Sequence, residues 1–244
     1  MKESLVIIPT YNEKENIARM VSEVFSLSPD IHILIIDDGS PDGTAAIIKD
    51  LQIQNSSRLF LIERSGKLGL GTAYILGFKW ALDRNYQFIF EMDCDFSHPP
   101  KDLLRLYEEA TKGTAVVVGS RYCKGGKVKN WPIGRILMSY FASVYVRLIT
   151  WMPVTDTTAG FVCFRKEFLN AVDFNKITFI GYAFQIEMKF AAWRLGFKLK
   201  EIPITFTDRI EGVSKMSKGI FKEAILGVLK MKWKSLSQKN AYRK

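Results

Sequence analysis

The chain has 244 residues, of which 48% are hydrophobic and 25% charged, with a formal net charge of +10. This balance is that of an ordinary globular protein of one large domain or two small ones, and it excludes a low-complexity or repeat protein. The positive excess serves solubility or, more specifically, an anionic partner. No helix-turn-helix, zinc-finger or RNP-like pattern accompanies it and the aromatics do not alternate with the basic residues, so no nucleic acid is expected. Cys94, Cys123 and Cys163 have neither metal-ligand nor disulfide-framework spacing, which favours a reducing, intracellular location. The apolar run at the start is too short for a signal peptide, ending at Pro9-Thr10. The most apolar later segment, Ile133 to Val154, is interrupted by Arg135 and Arg147, and no segment is expected to span a membrane.

In chain order, Leu5-Val6-Ile7-Ile8 is a continuous apolar run, as in a parallel strand buried on both faces. Asn12 with Glu15 resembles a capping box for the helix that follows. Ile31 to Ile36 is a second strand, closed by Asp37-Asp38-Gly39-Ser40 and the turn residues Pro41-Asp42-Gly43. A helix with Ala45, Ile48 and Leu51 precedes a third strand, Arg58 to Ile62. Gly66 to Gly71 is a glycine-rich turn into a helix reaching Leu82. It does not follow the first strand, so it is read as tight packing rather than a dinucleotide fingerprint. Gln87 to Met92 is a fourth strand, a helix starts near Lys101, and Ala115 to Gly119 is a fifth strand. Beyond Tyr122 come a long apolar helix, short strands (Val162 to Phe164, Lys198 to Ile202) around a helix from Ala183 to Arg194, and a basic helix from about Lys218. Alternating strands and helices imply a doubly wound, mostly parallel α/β sheet. No linker is seen, so 1–244 is read as one domain. Residues 1–122 would form a first half, 123–217 a second, and 218–244 a basic amphipathic C-terminal helix.

Several strand ends carry chemistry at one sheet edge, where such folds bind ligands. Asp93-Cys94-Asp95 offers two carboxylates to a hard divalent cation and the diphosphate it accompanies, although a plain turn would also use these residues. Tyr11 could stack a base and Glu13 accept from a ring N–H or ribose hydroxyl. Asp38 could bind a base edge or ribose. Arg121 ends the fifth strand, and Arg135 and Ser139 lie one helical turn apart, so the three could clamp a phosphate. Arg209 and Lys215, in the loop from Asp208, could close over an anion. Phe221, Ala224, Ile225 and Val228 form a stripe beside dense lysines, as in a helix lying in a bilayer interface.

The motifs Pro9-Thr10-Tyr11-Asn12-Glu13, Asp37-Asp38-Gly39-Ser40, Gly69-Leu70-Gly71-Thr72 and Asp93-Cys94-Asp95 resemble those of family-2 glycosyltransferases. Gly119-Ser120-Arg121-Tyr122 continues that resemblance, and Asp156-Thr157-Thr158-Ala159-Gly160-Phe161, Gly181-Tyr182-Ala183-Phe184-Gln185-Ile186-Glu187 and Asp208-Arg209 through Ser214-Lys215 resemble the dolichol-phosphate mannose synthases. The resemblance implies a GT-A-type fold and inverting, Mg²⁺- or Mn²⁺-dependent transfer of mannose from GDP-mannose to a polyprenyl monophosphate. It assigns Pro9, Tyr11, Glu13, Ile36 and Asp38 to the guanosine, and Asp93, Cys94 and Asp95 to the diphosphate and metal. Arg121, Arg135 and Ser139 go to the acceptor phosphate, and Arg209 and Lys215 to a mobile loop closing on the donor. Ser97 stands where many relatives have a glutamine reaching the metal, so its part as a ligand is open. The resemblance also implies a peripheral enzyme on the cytoplasmic face of a membrane, with or without a separate anchoring subunit. UDP-glucose as donor, a glycan acceptor and a non-catalytic nucleotide-binding subunit remain open.

Overall fold

The computed structural model describes residues 1–181, 183–208, 219–237 and 240–244, and for 219–225 the backbone alone. In the first half the elements are β1 (Ser4–Thr10), α1 (Ile17–Leu27), β2 (Ile31–Asp37), α2 (Thr44–Asn55), β3 (Leu59–Glu63), α3 (Leu70–Asp83), β4 (Phe88–Glu91), α4 (Asp102–Thr111) and β5 (Val116–Ser120). They continue as β6 (Lys127–Lys129), α5 (Ile133–Thr150), β7 (Val162–Arg165), α6 (Lys166–Ala171), α7 (Ala183–Arg194), β8 (Leu199–Pro203), β9 (Thr205–Thr207) and α8 (Gly219–Ser237).

The main sheet has the order β3-β2-β1-β4-β7-β5-β8. Its neighbours are parallel except at β7, which runs antiparallel to both β4 and β5. The continuous apolar runs are explained by burial on both faces. Leu5 and Ile7 of β1 join Leu34 and Ile36 of β2 under α3 and α7, with Tyr74, Phe78 and Phe184. Val6 and Ile8 join Ile33 and Ile35 under α1 and α4, with Met20, Val21, Leu103 and Leu106. A strand that faces two cores has no polar face, so its sequence does not alternate.

This order positions the site. From β1 the chain builds outward to β2 and β3, then returns to β4 on β1's other side, so the strand order reverses between β1 and β4. Loops leaving the C-terminal ends of such a pair diverge and open a crevice. The ends of β1, β2, β4 and β5 lead into Tyr11, Asp38, Asp93 and Arg121, all on that edge. The inserted β7 sets β4 and β5 two strand spacings apart, about 10 Å.

Three details differ from the sequence reading. Asn12 does not cap α1: it is in the left-handed region (φ 55°) and its N–H donates to Ser40 Oγ at 2.9 Å, while the helix starts at Ile17 after Asn16. The segment from Tyr11 to Glu13 instead wraps toward the 40–44 turn. Arg135 and Arg147 do not interrupt the apolar segment. They sit in one continuous helix, α5, whose 18 residues at mean hydropathy 1.2 are long and apolar enough to cross a membrane by length and composition alone. Finally, β6 pairs with β9 in a separate parallel two-stranded sheet that tethers the entry of α5 to the chain before Asp208.

Candidate active site

The nucleoside end is assembled by strand register. Pro9 of β1 lies opposite Ile36 of β2, and Thr10 opposite Asp37, so Tyr11 and Asp38 emerge side by side. Asp37 belongs to the turn: it accepts from Thr10 Oγ1 (2.9 Å), Ser40 N (2.8 Å) and Ser40 Oγ (2.6 Å). Asp38 is engaged differently, with its Oδ1 receiving Arg64 Nε at 2.6 Å. Burial pushes the Asp38 carboxyl's pKa up, and the Arg64 guanidinium opposes that rise without cancelling it. Glu13 accepts from Asn16 Nδ2 (3.0 Å), and its N–H donates to Thr44 Oγ1 (3.0 Å). Lys67 Nζ sits 3.7 Å from the centre of the Tyr11 ring.

The glycine-rich turn packs as its sequence implies. A Cβ at Gly71 would lie 2.8 Å from the Phe184 ring and 2.9 Å from the Phe179 carbonyl, and Gly71 N–H donates to Ile180 O (2.8 Å). Gly69, at φ 99°, is as tightly opposed, with Ile180 O 2.9 Å from its would-be Cβ.

The carboxylate run sits where β4 ends. Cys94 is buried between Asp93 and Asp95, and Ser97 N–H donates to Asp95 Oδ1 at 3.1 Å. Ser97 is itself buried, and its carbonyl accepts from Thr207 of β9. Burial raises the pKa of the buried Tyr74 phenol, and the nearby Asp93, Glu91 and Asp95 carboxylates raise it further. Below them burial pushes Glu91 up to about 8. Burial likewise lowers the neighbouring Lys189 to about 8, and its Nζ donates to Ala159 O (2.7 Å). His98 Nδ1 lies 3.9 Å from Asp93, yet burial against Phe161 and Phe206 lowers its pKa to about 4. It is therefore neutral near pH 7 and is no counter-charge for Asp93.

These residues fit a hard divalent cation. The described residues contain no group of three or more His, Cys, Asp or Glu side chains able to hold a metal. The two carboxylates of Asp93 and Asp95, both oxygen donors at the end of β4, match the way Mg²⁺ is usually held, by one or two carboxylates and substrate phosphates.

On the acceptor side, Arg121 is gripped by Asp156 through Nε (2.7 Å) and Nη2 (2.6 Å), and Nη2 also reaches Thr158 Oγ1 (2.8 Å). Its Nη1 has no protein partner among the described residues. Asp156 is held in turn: its N–H and that of Thr155 donate to Glu201 of β8 at 2.9 and 2.7 Å. Arg135 lies 4.0 Å over the Trp131 ring, which Arg121 also faces at 5.6 Å, and pairs with Asp208 at 3.1 Å. Ser139 stands beside the Tyr122 phenol. The three phosphate candidates are thus brought to one region, around Tyr122 and Trp131. Glu187 is buried and accepts from the N–H groups of Thr178 (2.7 Å) and Phe179 (2.9 Å), holding the loop against which Gly71 packs. Arg209 and Lys215 lie outside the described residues.

Arg64, Asp156, Glu201, Trp131 and Lys189 surround the candidate groups in the structure without being singled out by the sequence. Asp156 stands in the motif Asp156-Thr157-Thr158, whose resemblance marks it without showing that it pairs with Arg121. Arg64 and Lys189 carry no such mark, because their partners are remote in sequence.

Residues 5–173 match the family described as Glycosyl transferase family 2. The chain is 44% identical over 227 residues to polyprenol monophosphomannose synthase of Mycolicibacterium smegmatis, covering 93% of this chain and 86% of that one. It is 42% identical over 236 residues to undecaprenyl-phosphate mannosyltransferase of Micrococcus luteus, covering 95% and 96%. Among solved structures it resembles glucosyl-3-phosphoglycerate synthase from Mycobacterium tuberculosis in complex with Mn²⁺, UDP and glucosyl-3-phosphoglycerate (TM-score 0.65, 15% identity, covering 96% and 80%). It also resembles the mannosyltransferase PcManGT from Pyrobaculum calidifontis in complex with GDP-Man and Mn²⁺ (TM-score 0.58, 15% identity, covering 96% and 74%). At these identities the structural likeness concerns the fold, which is of the GT-A type. The chain belongs to glycosyltransferase family 2. It is an enzyme that transfers mannose, as the names of these two relatives at over 40% identity indicate.

Proposed function

We propose that the protein transfers mannose from GDP-mannose to a polyprenyl monophosphate, giving polyprenyl phosphate mannose and GDP with inversion at the anomeric carbon. The observation that carries this reading is the shared edge of one sheet. Tyr11, Asp38, Asp93, Asp95 and Arg121 leave its strands in an order that runs from a nucleoside, through a diphosphate, to a second phosphate. The names of the two relatives described above support the mannose and the polyprenyl phosphate of this reading.

Pro9, Tyr11, Glu13, Ile36 and Asp38 hold the nucleoside in this reading. Asp93 and Asp95, with Cys94 between them and Ser97 bracing Asp95, hold the diphosphate and a Mg²⁺ or Mn²⁺ ion. When bound, that ion supplies Lewis-acid stabilisation of the departing GDP. Arg121, through its remaining Nη1, Arg135 and Ser139 orient the acceptor phosphate. Arg209 and Lys215 add positive charge over the diphosphate and exclude water. A phosphate monoester has a second pKa of about 6 and is mostly dianionic at neutral pH, so it attacks without a strong general base. Glu187 is then a positioning residue for the 178–179 loop. Residues 1–122 serve the donor and 123–217 the acceptor.

The same reading sets the enzyme on the cytoplasmic face of a membrane. α5 packs on α8, and Phe141, Leu148, Trp151, Leu229 and Trp233 are exposed on or beside these helices. Lysines of α8 accompany them, the combination an anionic lipid surface binds. The test is a donor panel on purified protein with liposomes containing a polyprenyl phosphate. Mannose transfer from GDP-mannose, absent with UDP-glucose, is expected; transfer only from UDP-glucose, or none, would contradict the proposal.

A further inference from the structure

The glycine-rich turn does more than pack. Resting on the reading of Tyr11 and Asp38 as the nucleoside end, we propose that Arg64 is a positioning residue for base selection. It holds one oxygen of Asp38 so that the other accepts from the base, which selects nucleobases carrying a ring N–H donor.

Arg64 follows β3, and its side chain is 7% exposed. Both Nε and Nη2 reach the same atom, Asp38 Oδ1, at 2.6 Å. The rest of the guanidinium is fixed from the other side: Nη1 donates to Thr72 Oγ1 (2.7 Å) and Nη2 to the Gly69 carbonyl (3.4 Å). The main chain is anchored as well, with Arg64 N–H donating to Asp37 O at 2.8 Å and Asp38 N–H to Thr10 O at 2.9 Å. Asp38 Oδ2 has no hydrogen bond among the described residues. The turn thus ties the start of α3 to one carboxylate oxygen, Oδ1, and Oδ2 is the oxygen the proposal gives to the base.

An ionised carboxylate only accepts hydrogen bonds. Guanine and hypoxanthine present N1–H, and uracil presents N3–H. Adenine N1 and cytosine N3 present a lone pair instead, which meets the carboxylate as a repulsion, the usual way a site rejects a wrong partner. Fixing the carboxylate sharpens this difference, because a free rotor could turn away from the wrong base. The purine or pyrimidine size of the base is read elsewhere, so the pair sets the class of base rather than guanine alone.

The experiment measures equilibrium affinities of GDP, IDP, ADP and CDP, with Mg²⁺ or Mn²⁺, for wild type, Arg64→Met, Arg64→Lys and Asp38→Asn, alongside thermal unfolding. Wild type is expected to prefer GDP and IDP to ADP and CDP. Arg64→Met should weaken GDP about tenfold or more, the scale of a charge-assisted hydrogen bond. Binding of ADP should stay unchanged, and in turnover KM for the donor should rise more than kcat falls. Should Arg64→Met fail to fold, Arg64→Lys carries the comparison, since an ammonium cannot hold Asp38, Thr72 and Gly69 together. Asp38→Asn tests the underlying reading and should lower the GDP to ADP preference whatever Arg64 does. If Asp38→Asn removes the preference and the Arg64 variants keep it, the positioning role is wrong while the nucleoside reading stands. If no variant alters the preference, the base does not sit at Asp38 and both fail.

Discussion

Arg121 donates three hydrogen bonds to Asp156, from Nε at 2.7 Å, Nη2 at 2.6 Å and its backbone N–H at 2.9 Å, and Asp156 is completely buried. The pair joins the end of β5 to the chain entering β7, and Glu201 of β8 fixes it from below. Removing one member of a buried ion pair leaves an uncompensated charge, which costs about 3–5 kcal/mol. Asp156→Asn should therefore lower the unfolding free energy by that amount, seen as a lower denaturant midpoint. The double variant Arg121→Met/Asp156→Leu should recover much of the loss and still fail to transfer, which denaturant titration and a transfer assay would check together.

The same pair sets an acid limit. Burial would raise the Asp156 carboxyl, but the Arg121 guanidinium outweighs it and holds the carboxyl below the usual carboxylate range. A group depressed in the folded state stabilises above its unfolded value, about 3.8, and loses that contribution as pH falls through the folded value. Wild-type stability should drop steeply below about pH 4, and Asp156→Asn should flatten that part of the curve. Unfolding free energies between pH 2 and 6 would show it.

Gly71→Ala would place a methyl 2.9 Å from the Phe179 carbonyl and 2.8 Å from the Phe184 ring. The backbone carbonyl cannot step aside as a side chain would, so overpacking of about 1–3 kcal/mol is expected. The 177–181 loop should loosen with it, seen as faster amide exchange at Thr178 and Phe179 than in wild type.

Glu187→Gln keeps an acceptor for the N–H groups of Thr178 and Phe179 but cannot act as a base. In an assay with saturating acceptor phosphate it should retain much of the wild-type rate. Loss of nearly all activity in a variant of unchanged melting temperature would mean that Glu187 takes a proton.

Trp151 and Trp233 are 72% and 75% exposed on neighbouring helices. The Trp151→Glu/Trp233→Glu variant should float less with anionic liposomes and keep its activity toward a short, water-soluble polyprenyl phosphate. Unchanged flotation would place the membrane contact elsewhere.

Elements and residues differed in how readable they were. β1, β2, β4 and β5 are continuous apolar runs, and burial on two faces leaves that mark in a sequence. Asp93-Cys94-Asp95 was readable because both carboxylates lie in one short run at a strand end. The antiparallel entry of β7 between β4 and β5 was not, since a four-residue strand carries no sign of its neighbours or direction. Nor was the β6–β9 pairing of Lys127-Val128-Lys129, too short and polar to read as a strand. Arg64 and Asp38 are 26 residues apart, and Arg121 and Asp156 are 35 apart, so each pair exists only once the sheet is formed. Asn12 misled because a residue suited to helix caps is equally suited to a left-handed turn.

The most direct test is mass spectrometry of the lipid product after purified protein meets GDP-mannose, a polyprenyl monophosphate and Mg²⁺ or Mn²⁺. One hexose should be added to the polyprenyl phosphate by wild type, and none should be added in EDTA or by a folded Asp95→Asn variant. Full conversion in EDTA, or by Asp95→Asn, would contradict the assignment of the diphosphate and its metal to the end of β4.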